Sequence, residues 1–165
     1  MNTLQRLLKL VGPLVVVITG FSGLLQAQVP EPAEIIGFAP GTDYKLAKYA
    51  QIERYFRALG TASDRVVVEE IGSSSLGRPL LLAVISSEEN LRDRDRYRAI
   101  SQRLAQAKDL SDQEARRLAV EGKAIVWIDG GLHATEVAHG QMTSELAHWV
   151  ATDEGDEARR IRENA

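Results

Sequence analysis

Two of the chain's three histidines, with a glutamate between them, fall in one ten-residue stretch, GLHATEVAHG, residues 131–140. His133 and Glu136 stand three residues apart, where a Gly-Gly break gives way to helical spacing. An imidazole and a carboxylate that converge there are the nitrogen and oxygen ligands that Zn²⁺ takes at about 2.0–2.2 Å. The glycines ahead of His133 let the backbone turn tightly. A plainer reading fits the same residues, because an acidic side chain at a helix start favours the helix dipole. Residue chemistry alone leaves both open. His139, one turn beyond Glu136, would extend the pair to an H-x-x-E-x-x-H trio. His148 lies some 18 Å further along the helix axis than Glu136 and reads as a surface or partly buried structural histidine.

Other chemistries fail on spacing. GSSSLGRP, residues 72–79, has the glycine spacing of a phosphate loop, but Arg78-Pro79 occupy the Lys-Ser/Thr positions and a strand follows. A phosphate loop offers its anion a helix N-terminus, and this turn has none to offer. Glu-x-x-His occurs at Glu136–His139 and again at Glu145–His148, as in di-iron bundles. There the motifs come from different helices; here both lie on one helix, nine residues apart, facing opposite ways with about 13 Å of rise between them. No G-x-S-x-G elbow supports a serine nucleophile. With no cysteine in the chain, disulfides and thiolate metal sites are excluded, so any metal must be held by His, Asp or Glu.

The elements that would position the pair are legible in outline. In DYKLAKYAQIERYFRALG, residues 43–60, Leu46, Tyr49, Ile52, Phe56 and Leu59 recur at helical steps, with Asp43 as N-cap and Gly60 as stop. VVVEEI (66–71) and LLLAVIS (80–86) read as two strands joined by the Gly/Ser/Pro turn. Residues 87–122 carry balanced charge and read as a solvated helical pair, started by Ser87 or Asn90 and then by Ser111 three residues before Glu114. KAIVWID, 123–129, reads as a short buried strand that ends at Gly130 and Gly131. A helix follows, with its apolar spacing at Ala138, Met142, Leu146, Trp149 and Val150; Gly155 ends it, and DEARRIREN is a polar helical tail. The order of elements is an α/β pattern.

The first 27 residues have the plan of a signal peptide. Arg6 and Lys9 precede an apolar run from Leu10 to Leu25, and Ala27 stands at the cleavage position before QVPEP. The run is short for a membrane span; a retained N-terminal anchor is the alternative to export into a secreted or periplasmic location. Residues 28–42 read as a proline-punctuated linker and 43–165 as the domain. Without Arg6 and Lys9 the 20 basic residues become 18 against 23 acidic, a net charge of −5. That balance argues against nucleic-acid binding, which needs a basic face, and no stable membrane association is expected once the leader is cleaved.

In order and context, the sequence resembles the amino-terminal half of the zinc carboxypeptidases of the M14 metallopeptidase family. IGSSSLGRPLLLAVIS is similar to the family's I-G-x-S-x-x-G-R-P-hydrophobic segment, and VWIDGGLHATE to its strand, glycine and H-x-x-E block. The resemblance covers residues 43–165. It implies an α/β fold with a mixed sheet flanked by helices and a charged helical insert, and one Zn²⁺ ion with His133 and Glu136 as its first two ligands. It also implies hydrolysis of C-terminal peptide bonds, with a glutamate as general base. The family's third ligand, a histidine, and that glutamate come from well downstream, so the resemblance places the general base beyond Ala165 and assigns no catalytic residue within the 165. The chain accordingly reads as a fragment without activity of its own. Thr135 stands where many peptide-cleaving members have arginine, which leaves a peptide or a small acylated amino acid as substrate. The alternatives are an aspartoacylase-like zinc deacylase or amidase and a non-catalytic exported α/β domain.

Overall fold

The computed structural model describes residues 28–133 and 135–165; the leader expected over residues 1–27 lies outside them. Among the described residues, no helix is long and apolar enough to cross a membrane.

The stretch expected as a linker carries a single-turn helix, α1 (Pro32–Ile36). Proline at the first helical position gives up only an N–H that has no helical partner anyway. Glu34 Oε2 reaches back to accept from the Glu31 N–H at 3.2 Å, and Gly37, at φ 91°, closes the turn with its N–H on the Ala33 carbonyl. Ile36 is buried in the main apolar cluster, so this turn is packed against the domain.

The first long helix, α2 (Tyr49–Ala62), starts six residues later than Asp43 and runs past Gly60 to a C-cap at Ser63. Tyr44 takes a positive φ of 60°, which no helix tolerates, so the upstream residues form turns instead. Gly60 does not end the helix because it serves packing. A Cβ there would come within 2.8 Å of Val68 Cγ2, so glycine is what lets α2 lie close on the sheet. The buried ridge of α2 includes Tyr55 as well as Leu59, a residue outside the apolar spacing read from the sequence; its ring meets Phe56 edge-on at 5.7 Å.

β1 (Val66–Ser73) and β2 (Pro79–Ile85) form the expected antiparallel hairpin, from Val66 opposite Ile85 to Ser73 opposite Pro79, with an irregularity between Glu70 and Gly72. Its turn is an ordinary hairpin turn: the Ser74 N–H donates to the Arg78 carbonyl at 2.7 Å, and Gly77 takes φ 69°. α2 packs against both strands.

The charged insert holds three helices rather than a pair: α3 (Glu88–Arg92), α4 (Arg94–Gln106) and α5 (Asp112–Glu121). Ser87 and Ser111 cap α3 and α5 as expected, each hydroxyl accepting an N–H three residues on at 3.2 Å. Exposed ion pairs such as Arg96–Glu121 at 2.8 Å cover the outer faces, while Ile100 and Leu118 are buried. The solvated reading holds.

Residues 123–129 do not form the expected strand: no ladder pairs them, and Ile125, Val126, Trp127 and Ile128 are exposed. A run this apolar becomes a strand only when neighbouring strands satisfy its main chain and cover both faces, and the described sheet has only β1 and β2. The start of the segment is fixed to the last helix, with the Ala124 N–H on the Asn164 carbonyl at 3.0 Å.

The long helix α6 (Val137–Thr152) buries Gln141, Ser144, Ala147 and Ala151, a different face from the one read off Met142 and its apolar neighbours. Small residues at this spacing let α6 approach α2 closely, and Gln141 Oε1 accepts the Ala47 N–H at 3.3 Å inside the contact. Shape complementarity outweighed hydrophobicity. The core gathers Ile36, Ala47, Tyr55, Leu59, Val66, Ala147 and Ala151.

The expected polar tail is α7 (Asp156–Asn164), with Gly155 as its N-cap and Ala165 as its C-cap. It is tied down by a buried exchange of caps. The Arg162 guanidinium donates to the Val150 and Asp153 carbonyls, both at 2.7 Å, closing the end of α6. Ser86 Oγ and Asn90 Nδ2 in turn donate to the Arg162 carbonyl at 3.0 and 2.9 Å. Ala165 is drawn into the same cluster, its main-chain oxygen 2.5 Å from Ser86 Oγ. The result is a mixed α/β unit in which a two-stranded antiparallel sheet is flanked by helices.

Candidate metal centre

The turn that carries His133 and Glu136 is built by two glycines with different jobs. Gly130 lies so close to α6 that a Cβ would stand 2.6 Å from the His139 carbonyl oxygen and 2.7 Å from Thr143 Cγ2. Gly131 takes φ 83°, in the left-handed region that a side chain disfavours. The chain then folds back on itself: the Glu136 N–H donates to the His133 carbonyl at 3.0 Å, and Glu136 becomes the N-cap residue of α6.

This fold-back brings the two side chains face to face. His133 Nδ1 lies 2.8 Å from Glu136 Oε1, while the other carboxylate oxygen accepts the His133 main-chain N–H at 3.3 Å. Nothing in the residue order pointed to that second contact, because its donor is a backbone group common to nearly every residue. The His133 side chain is 70% exposed and that of Glu136 36%, so the outer side of the pair is open to solvent. Hydrogen bonds from the His133 side chain and then its backbone hold the Glu136 carboxyl below the ordinary carboxylate range, aided by the charge of His139. The group is therefore ionised at neutral pH, as a metal ligand must be.

The donor set fits a zinc ion. Two ligand atoms each about 2.1 Å from a tetrahedral centre stand roughly 3.4 Å apart, so the pair, now 2.8 Å apart, need open by about 0.6 Å. Exposed side chains on a surface turn can supply that by rotation. A complete site needs more. His139 Nδ1 stands 3.5 Å from Glu136 Oε2, but no group of three or more His, Asp or Glu among the described residues is arranged to hold a metal. His148 faces away, with its largely covered ring 3.6 Å from Glu31 Oε2, which matches its reading as a structural residue. A shallow hollow of about 530 Å³ lies beside His148 and Arg65 and is lined by neither His133 nor Glu136. It has no part in this site.

The family model described as zinc carboxypeptidase, peptidase M14, matches residues 52–165. No curated protein and no solved structure matches the chain. The match takes in the hairpin, the insert, the Gly-Gly turn and α6, with the facing His133 and Glu136 inside it, and it spans well over half the sequence: the chain belongs to the zinc carboxypeptidase family, peptidase M14, a family of zinc-dependent peptidases.

Proposed function

We propose that the chain is the amino-terminal part of an exported zinc metallocarboxypeptidase, with His133 and Glu136 as two of the ligands of one catalytic zinc. The observation that carries this reading is the 2.8 Å approach of His133 Nδ1 to Glu136 Oε1 on an exposed glycine-built turn, inside the matched region. When bound, zinc polarises a scissile carbonyl and lowers the pKa of water.

The residues of this chain prepare the ligands. The His133 main-chain N–H aims the Glu136 carboxylate and helps to keep it charged. To bind the ion at Nδ1, His133 must give up the hydrogen that Nδ1 shares with Glu136, because a nitrogen that carries hydrogen has no lone pair to give. Hydrolysis also requires a general base and a third ligand, and no third metal-binding side chain joins the pair among the described residues. In this reading the general-base glutamate lies beyond Ala165. The 165-residue chain is accordingly inactive alone, and the hydrolysis of C-terminal peptide bonds belongs to a longer polypeptide.

The test is equilibrium zinc binding by the full chain, by His133→Ala and by Glu136→Gln, beside a peptidase assay. The expected result is weak binding, far below the roughly 10–16 kcal/mol of complete structural sites, and loss of it in both variants. Zinc binding indifferent to both substitutions would overturn the ligand assignment. Peptide hydrolysis by the 165 residues would overturn the placement of the general base beyond Ala165 and leave the ligands standing.

A further inference from the structure

Glu136 is the N-cap residue of α6, yet its side chain makes no cap bond to the helix. An acidic side chain at a helix start is drawn toward the free N–H groups of the first turn. The Glu136 carboxylate instead lies back over the glycine turn, with Oε1 2.8 Å from His133 Nδ1 and Oε2 accepting the His133 main-chain N–H at 3.3 Å. That single N–H competes with the several free N–H groups of the helix start. A second group stands at the same oxygen: His139 Nδ1, 3.5 Å from Oε2. Residues three apart on a helix are neighbours, and the main chain of His139 is held in place. Its N–H donates to the Glu136 carbonyl at 3.4 Å, and its own carbonyl lies where a Cβ on Gly130 would press. The packing that seats the ligand turn therefore also places this imidazole.

We propose that His139 is a positioning residue for the Glu136 carboxylate: Nδ1 donates to Oε2, which holds that oxygen between two donors and leaves Oε1 for the ion. The proposal rests on the ligand reading above. Nδ1 can donate whether or not the ring carries a second hydrogen, so the role needs no change of charge. The His139 side chain is 51% exposed, and a small rotation shortens the 3.5 Å approach to an ordinary hydrogen bond. His139 does not act as a third ligand, because Nδ1 is turned to the carboxylate and no group of three metal-binding side chains forms among the described residues. Ligating carboxylates are themselves hydrogen-bonded by outer groups, and loss of such a partner typically weakens metal binding about 10–100-fold. Every group involved lies between Gly130 and His139, so the arrangement does not depend on what a longer polypeptide adds.

The experiment measures zinc affinity by chelator competition in the full chain, in His139→Leu and in His139→Asn. Asparagine carries its amide nitrogen as far from the backbone as Nδ1 and keeps a donor there; leucine has nearly the same shape and none. His139→Leu should bind zinc about tenfold more weakly than the parent, and His139→Asn should recover most of that loss. Nitrogen NMR of the metal-free imidazoles, at about pH 8 and above the usual imidazole range, gives a second readout. His139 Nδ1 should carry hydrogen in the parent and lose that preference in Glu136→Ala. Parent affinity in His139→Leu, or a bare Nδ1 in the metal-free parent, would overturn the proposal and leave His133 and Glu136 as ligands. His139→Asn as weak as His139→Leu would make the imidazole itself a ligand, which overturns it too. Zinc binding indifferent to His133→Ala and Glu136→Gln would overturn the ligand reading, and the role of His139 with it.

Discussion

Gly130 lies against the carbonyl of His139: a side chain on Gly130 would press within 2.6 Å of that oxygen. The contact joins the turn that carries His133 to the first turn of α6, so the place of the candidate ligands depends on a residue with no side chain. Gly130→Ala forces backbone against backbone, and overpacking of this kind costs about 1–3 kcal/mol. Gly131→Ala meets only ordinary contacts, the nearest the Glu136 carbonyl oxygen at 3.7 Å, but a φ of 83°, at about 1–2 kcal/mol. Gly131→Asn should recover part of that loss, because asparagine tolerates the left-handed region; Gly130→Asn should not. Thermal melts of the four variants check this, and a recovery at Gly130 equal to that at Gly131 would contradict the two roles.

Gly60 on α2 and Val68 on β1 make a second close contact, with 2.8 Å from the would-be Cβ to Val68 Cγ2. Glycine to alanine in a helix interior ordinarily gains up to about 1 kcal/mol. Here Gly60→Ala should destabilise by about 1–3 kcal/mol. In a Val68→Ala background the same change should turn neutral or stabilising. A denaturant double-mutant cycle measures the coupling, and simple additivity would mean that the contact is not what keeps glycine in α2.

Glu154 is shared by two arginines, Arg65 at 2.6 Å and Arg162 at 3.3 Å. The hydrogen bond from Arg65 holds its carboxyl below the ordinary value, with both arginine charges adding to the effect. A depressed folded-state pKa gives stability that is fully present above the unfolded value, about 4.3 for glutamate, and lost as pH falls through the folded value. Glu154→Gln should therefore melt lower than the parent at pH 7, and the gap should close in acid. Melting curves from pH 7 to pH 2 would test it; a gap that widens in acid has the wrong sign.

Ser111 caps α5 through a 3.2 Å bond from the Glu114 N–H. Ser111→Ala should cost about 1 kcal/mol, and Ser111→Asp should retain most of the cap. Hydrogen exchange over Asp112–Glu121, beside global melts, shows whether the loss is local to α5. Unchanged protection in Ser111→Ala would contradict the assigned cap.

How much was legible in the sequence follows from how local each cause is. The hairpin, the serine caps of the insert and the family resemblance of the GLHATE block were readable, because a cap or a tight turn acts over three or four residues. The pairing of His133 with Glu136 was readable for the same reason. Each of the misread features depends on a distant partner. Gly60 has the look of a stop until Val68 lies beneath it, and Met142's face has the look of the buried one until α2 selects the small residues around Ala147. KAIVWID carries every strand signal, yet a strand exists only when another chain segment takes its main-chain hydrogen bonds.

The amino-acid order by itself determined which candidate ligands are available, an imidazole and a carboxylate without any thiolate, and set them three residues apart. Only the tertiary structure decided that they face each other with an open outer side, because that depends on Gly130 seating the turn against α6 and on the His133 N–H aiming the carboxylate. Side-chain type is a property of the chain, whereas direction is fixed by what packs behind it.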